Sequence, residues 1–193
     1  PWVFSGGIYT DMSELSEGEK VYIADSRNNI LGTGHFGQRS IAVRLLSFAQ
    51  SLIDENFYRQ KLQNALDTRA LLGLPSKDTN AFRLVHGEGD QLPGLVIAIY
   101  ASCAVVQTHS SGMSQDFPLI EKGLQALEGI EFEHVIQISA EKNRSQTDLP
   151  VEGTEFLENG HTFYANWAKG QKTGFFIDQR ENRALLGSLS KGK

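Results

Sequence analysis

The run Gly170-Gln171-Lys172-Thr173-Gly174-Phe175-Phe176-Ile177-Asp178-Gln179-Arg180-Glu181-Asn182-Arg183 concentrates the groups of this chain best suited to a polar ligand. Glycine lacks the Cβ that keeps a backbone at a distance, so Gly170 and Gly174 allow close approach to a ligand. Lys172, Arg180 and Arg183 supply cations for phosphate, and Gln179 and Asn182 offer paired donors and acceptors for base or sugar edges. Asp178, followed three residues later by Glu181, also has the spacing of a helix capping box. The same residues therefore describe an ordinary hairpin leading into a capped helix, and physical chemistry alone leaves the two readings level. A nucleotide-hydrolase phosphate loop is excluded, because Gln171 separates Gly170 from Lys172 and the upstream glycine of GxxxxGK[ST] is missing.

The charge of the chain supports a local rather than a global site. Its net charge is −5, which argues against a generally basic nucleic-acid binder. Yet from Asn166 onward Lys169, Lys172, Arg180, Arg183, Lys191 and Lys193 face only Asp178 and Glu181. Such a basic patch is either a footprint for a phosphate-bearing partner or a solvated face.

Composition bounds the remaining chemistry. With 193 residues, 40% hydrophobic and 21% charged, the chain can bury a core and is long enough for two modules. One cysteine excludes an internal disulfide framework, and no Cys/His spacing suits zinc, so no metal is expected. Cys103 sits in an apolar run with no neighbouring base to activate it, and reads as a small buried thiol. His35, His86, His109, His134 and His161 are scattered, which gives no support to a metal or triad reading. Asn143-Arg144-Ser145 fits a glycosylation sequon without meaning in a cytoplasmic chain. No apolar run approaches the roughly 18 to 20 residues that cross a bilayer, and the start lacks a signal-peptide pattern; a cytoplasmic location with no membrane partner is the expectation. The chain begins with proline and stops on Lys191-Gly192-Lys193 straight after a helix pattern, so both ends read as cuts.

The elements that must position these residues follow from periodicity. Strands are expected at Lys20 to Ala24, Ile30 to Phe36 and Ile41 to Phe48, with turns between them, and this spacing suggests a small β-barrel. Asp54 is a candidate N-cap for a helix carrying Phe57, Tyr58, Leu62, Ala65, Leu66, Arg69 and Leu72 on a helical period up to Gly73. After the polar linker Pro75 to Asn80, strands are expected at Ala81 to His86, Gly94 to Tyr100 and Ala104 to His109. Phe117, Ile120, Leu124 and Leu127 then mark one face of an amphipathic helix. Further strands follow at His134 to Ser139, Thr154 to Leu157 and Thr162 to Asn166, which together make an α+β sandwich. The loop from Gly87 to Gly94 is a turn set by glycine and proline, or one in which Glu88 or Asp90 holds a polar ligand. The last helix carries Leu185, Leu186 and Leu189 with almost nothing beyond it to pack on.

Four segments, in order, resemble one family. PWVFSG at Pro1 to Gly6, the stretch Ile30 to Leu46, RLVHGEGDQLPGLV from Arg83 to Val96, and GQKTGFFIDQRENR from Gly170 to Arg183 span nearly the whole chain. They are similar to the class I S-adenosylmethionine-dependent ribosomal RNA cytosine-5 methyltransferases that carry an amino-terminal PUA domain. The resemblance implies a mixed β and α+β fold: a PUA-like barrel with its closing helix over 1–73, a central α+β domain over 74–168, and a hairpin and helix over 169–193. That helix would be the first of a Rossmann-like methyltransferase domain that is absent here.

The resemblance also implies the function and its limits. The parent protein would methylate 23S rRNA, by attack of a thiolate on carbon 6 of cytosine, methyl transfer to carbon 5 and removal of the proton there. The nucleophile and the cofactor loop belong to the absent domain, so this stretch is expected to be inactive alone, to carry no catalytic residue and to bind no S-adenosylmethionine. Lys172, Thr173, Gly174, Asp178, Gln179, Arg180, Asn182 and Arg183 match the family motif and are expected beside the cofactor or the target base, with Gln179 on the base and Arg180 and Arg183 on phosphate. Phe176, Gln179 and Asn182 resemble a similarly placed trio in related uracil methyltransferases. Arg39, Arg44 and Lys169 are expected to touch RNA. Ribosomal RNA is the expected partner, and the oligomeric state stays open, a homodimer included. The alternative is a non-enzymatic RNA-binding or ribosome-assembly module.

Overall fold

A computed structural model describes residues 2–139 and 151–190. The sequon at Asn143 and the terminal Lys191 and Lys193 lie outside the described residues.

The first sheet contains β1 (Trp2–Phe4), β2 (Lys20–Ala24), β3 (Ile30–Phe36) and β4 (Ile41–Ser47), all antiparallel, in the order β1-β4-β3-β2. Asp25 shapes the β2–β3 turn by accepting from the backbone N–H groups of Arg27 and Asn29, which lets Asn28 take a positive φ. The barrel expected from strand spacing is not formed: this is an open sheet. Its edge strand β1 has three residues, and the connection from residue 8 to residue 19 contributes no strand to join β1 to β2.

The central domain has three layers. Strands β5 (Ala81–His86), β6 (Leu95–Tyr100), β7 (Cys103–Thr108) and β8 (His134–Ser139) form a sheet in that order. The first three are antiparallel, and β8 joins β7 in parallel through the crossover of α2 (Ser111–Gln115) and α3 (Phe117–Gln125). Phe82, Leu84, Ile97, Ile99, Ala104 and Val106 face the helices, whereas Ala98, Tyr100, Cys103, Val105 and Ile136 face a hairpin on the other side. A sheet covered on both faces explains why its strands read as continuous apolar runs. Cys103 is buried here, and burial followed by the charge of Glu133 pushes its thiol up, so it stays protonated.

Helix α1 (Glu55–Ala70) is capped by Asp54, whose carboxylate accepts from the Phe57 N–H at 2.9 Å. Its buried Tyr58, Leu62, Ala65 and Leu66 share one core with Phe82, Leu84, Ile120 and Leu124. The helix expected to close the amino-terminal module thus packs on the central domain. Its apolar stripe meets α3 and β5, the larger apolar surface within reach.

The hairpin consists of β9 (Gly153–Glu158) and β10 (His161–Asn166), joined by Asn159-Gly160 with both φ values positive. This is the two-residue turn chemistry that matches the twist of paired strands.

Candidate functional site

Beyond β10 the chain forms a tight loop rather than the hairpin expected there. Trp167 is buried and its indole N–H donates to the Val151 carbonyl at 2.7 Å, which anchors the start of the loop. The Gly170 N–H then donates to the Asn166 carbonyl, and the Asn166 N–H to the Gly174 carbonyl, at 2.8 and 3.3 Å. A Cβ on Gly170 would lie 2.2 Å from the Asn166 carbonyl oxygen, and one on Gly174 would lie 2.8 Å from the Asn166 carbonyl carbon. The backbone that these glycines admit is the chain's own, not a ligand's. Gly174→Ala, at φ +101, is therefore expected to cost about 1–3 kcal/mol and to lower the thermal midpoint accordingly; an unchanged melting curve would refute this account of the loop.

The loop is pinned from below. Thr173 is fully buried with its hydroxyl 2.9 Å from that of Tyr100, and the Gln107 side-chain amide donates to the Lys172 carbonyl at 3.1 Å. Phe175 stacks edge-on against Phe156 with centroids 4.9 Å apart. A 3-10 turn over Ile177–Gln179 then leads into α4 (Arg180–Leu189).

Asp178 does not cap that helix. The N-cap is Gln179, with no side-chain cap bond, and Asp178 instead pairs with Lys172 at 3.1 Å. That hydrogen bond draws the Asp178 carboxyl below its usual range. Starting the helix at Arg180 places Asp178 inside the preceding turn, beyond reach of a capping role.

The two arginines expected on phosphate are engaged within the chain. Glu158, at the end of β9 and 2% exposed, accepts from Arg183 Nε and Nη2 at 2.6 and 2.7 Å. Arg183 Nη1 donates to the Phe176 carbonyl at 2.9 Å, and its guanidinium lies over the Phe175 ring. Arg180 donates to the Ala81 carbonyl, and its Nε lies 3.7 Å from Glu158. A buried carboxylate needs opposite charge and full hydrogen bonding, and these two residues supply both.

What remains outward is a polar rim with one aromatic. Lys172 lies over the half-exposed Phe176 ring, and Gln179 accepts from the Asn182 amide at 2.6 Å with both side chains exposed. Thr173, Gly174, Arg180 and Arg183 thus form the anchor, while Lys172, Phe176, Asp178, Gln179 and Asn182 face solvent. Leu185, Leu186 and Leu189 of α4 are each more than half exposed. The rim can contact a base or sugar. Neither Gly170 nor Gly174 leaves open space beside it, since the chain's own backbone fills both positions.

The residues expected on RNA lie on separate elements. Arg39 is exposed in the β3–β4 turn, Arg44 is half-buried within β4, and the exposed Lys169 has Glu152 at 3.7 Å. Of the two acids in the Gly87 to Gly94 loop, Asp90 serves structure by binding Arg69 and the His86 N–H, and Glu88 accepts from the Trp2 indole at 3.0 Å.

Sequence reasoning missed Arg83 and Glu158. Arg83, on β5, has a buried Nη1 without a hydrogen-bond partner, and burial pulls its guanidinium below the ordinary value while Tyr100 and Asp178 oppose this. One arginine among apolar strand residues reads as a solvent-facing position, so no local signal marks it. Glu158 had a signal only in the Asn159-Gly160 turn beside it.

Residues 1–48 match the family model described as a PUA-like domain. A ribosomal RNA large subunit methyltransferase of Deinococcus radiodurans is 30% identical over the whole chain, which covers 51% of it. Ribosomal RNA large subunit methyltransferase I of Alteromonas mediterranea is 33% identical over 99% of the chain, which covers 50% of it. The chain is homologous to the amino-terminal half of these methyltransferases. It spans about half the length of the curated relatives it matches. The same fold occurs in a protein of Streptococcus mutans assigned as a SAM-dependent methyltransferase, with TM-score 0.75 and 22% identity over 98% of the chain and 50% of that protein. A second solved structure, assigned as a methyltransferase and complexed with SAH, has TM-score 0.73 and 23% identity over 90% of the chain and 46% of that protein. The amino-terminal sheet is thus the PUA-like domain, and α+β architecture follows it. No helix among the described residues is long and apolar enough to cross a membrane.

Proposed function

We propose that this chain is the RNA-recognition and central portion of an S-adenosylmethionine-dependent methyltransferase that acts on cytosine-5 of 23S rRNA. The observation that carries this reading is homology along the whole of this chain to about half the length of rRNA methyltransferases, ending in a loop whose rim presents Lys172, Phe176, Gln179 and Asn182 to solvent. In this reading the PUA-like domain holds structured rRNA, and the rim forms one wall of the pocket that receives the target base. The Glu158–Arg183 pair fixes that wall by tying α4 to the hairpin. Phe176 and Lys172 would meet the base and its phosphate, and Gln179 and Asn182 the base edge. In the whole enzyme the cofactor would supply the methyl group.

The test uses the chain as it stands. It should bind 23S rRNA fragments weakly, with affinity falling steeply as salt rises, and take up no S-adenosylmethionine in titration calorimetry. The whole protein should transfer labelled methyl groups from the cofactor to cytosine in 23S rRNA. Tight cofactor binding by this chain, or failure of the whole protein to label rRNA, would sink the proposal.

A further inference from the structure

One ladder row of the PUA-like sheet faces the central domain. Trp2 pairs with Arg44, Arg44 with His35, and His35 with Lys20, so their side chains project from the same face. Three of the four find partners across the domain boundary. Trp2 Nε1 donates to Glu88 at 3.0 Å, His35 Nε2 meets Asp116 at 3.0 Å, and Lys20 Nζ reaches Asp116 at 2.8 Å and the Ile53 carbonyl at 3.0 Å. Arg44 is the fourth. It is half-buried, and among the described residues no carboxylate lies within ion-pair distance of it.

Arg44 lines a cleft of about 300 Å³ between the two domains, together with Trp2, His86, Glu88 and His109. That volume sits at the lower end of ligand clefts, roughly 300–1,000 Å³, and suits one nucleotide better than a folded partner. Each part of a nucleotide has a counterpart in the wall. The Trp2 indole is 48% exposed, and its hydrogen bond to Glu88 fixes the plane on which a base can stack. The Arg44 guanidinium is a planar fork matched to phosphate. Glu88 keeps a carboxylate in reach of a base amino group, a contact of the kind that reads cytosine. An acidic peptide would use Arg44 but would leave the indole face without a partner.

We propose that this cleft holds one unstacked nucleotide of single-stranded RNA, its base on Trp2 and its phosphate on Arg44. The proposal rests on the reading of the chain as an RNA-recognition module and adds the place and the form of the RNA.

The test is a titration of this chain with a fluorescein-labelled single-stranded RNA decamer, the same sequence as a duplex, and polyglutamate as a plain anion. Trp167 is 3% exposed, so a change in tryptophan emission on binding reports Trp2. Single-stranded RNA should quench that emission more than the duplex does. Trp2→Leu should weaken binding about tenfold and abolish the quench, and Arg44→Gln should weaken it similarly while lowering the slope of log affinity against log salt by about one. Thermal melting verifies that the variants fold, and Arg44→Lys, which keeps charge and strand, should retain the salt slope yet bind less tightly than the unaltered chain. Folded variants that bind the decamer as well as the unaltered chain overturn the cleft and leave RNA recognition standing. Polyglutamate binding as tight as the decamer's, lost equally in Arg44→Gln, reduces the cleft to an anion site and overturns the nucleotide. No RNA binding by the unaltered chain at low salt overturns the functional reading as well.

Discussion

Glu158→Ala is expected to destabilise the chain by about 3–5 kcal/mol, the largest single effect among the ion pairs of the described residues. The substitution removes one carboxylate and strands two guanidinium groups, Arg180 and Arg183, that are only 18% and 24% exposed. Each has other contacts, on the Ala81 and Phe176 carbonyls, but neither finds a second anion there. For a chain of this size the thermal midpoint should fall on the order of 10 °C. Helix α4 loses its main tie to the hairpin, so limited proteolysis should cut near Phe176 well before the central sheet is attacked. Midpoints within a degree or two of each other would mean that the pair is screened by water and that α4 is held by the loop alone.

The second expectation concerns Asp116. This carboxylate is 5% exposed and accepts from Tyr58 on α1 at 2.7 Å, from His35 on β3 and from Lys20 on β2. Gly112 lets the His35 ring lie so close that a Cβ there would sit 2.2 Å from the ring. Burial works to raise the Asp116 pKa, but the hydrogen bonds from His35, Lys20 and Tyr58 outweigh it, and the net displacement is downward. A depressed carboxylate contributes stability that is complete above its unfolded value of about 3.9 and is lost as pH falls through the folded value. Asp116→Asn should therefore cost about 3 kcal/mol near neutrality and flatten the acid limb of the stability curve below about pH 4. Because His35 and Lys20 belong to the PUA-like sheet, calorimetry should show one transition for the unaltered chain and two for the variant. A single transition, with the acid limb intact, would assign the coupling of the domains to contacts other than Asp116.

Both effects depend on groups that sequence could not bring together. Asp116 collects donors from 58 and 81 residues away, and Arg183 meets a carboxylate 25 residues upstream. Periodicity says which face of an element is apolar, and on that basis β2, β3, α3 and β8 were legible to within a residue or two and α1 to within three. It does not say which neighbour receives that face, which is why α1 was expected on the amino-terminal sheet and a barrel was expected where the sheet stays open. The loop from Gly170 to Arg183 was legible as a place of interest through residue type and resemblance. The division of labour within it was not, because a glycine or arginine that serves a ligand and one that serves its own fold carry the same letter. Arg44 and Trp2 gained their meaning from a ladder register that joins residues 2, 44, 35 and 20 in one row.

The Asn159-Gly160 turn sets more than the hairpin. With two residues at positive φ it fixes His161 opposite Glu158, and through an alternation of period two it decides which side chains of β9 point inward. A slip of one residue would exchange the faces, sending the Glu158 carboxylate to water and leaving Arg180 and Arg183 without their counter-charge. A backbone choice at two small residues thus works as an alignment mark for a helix twenty residues further on, so insertions at this turn should be tolerated far less than its position at a surface tip suggests.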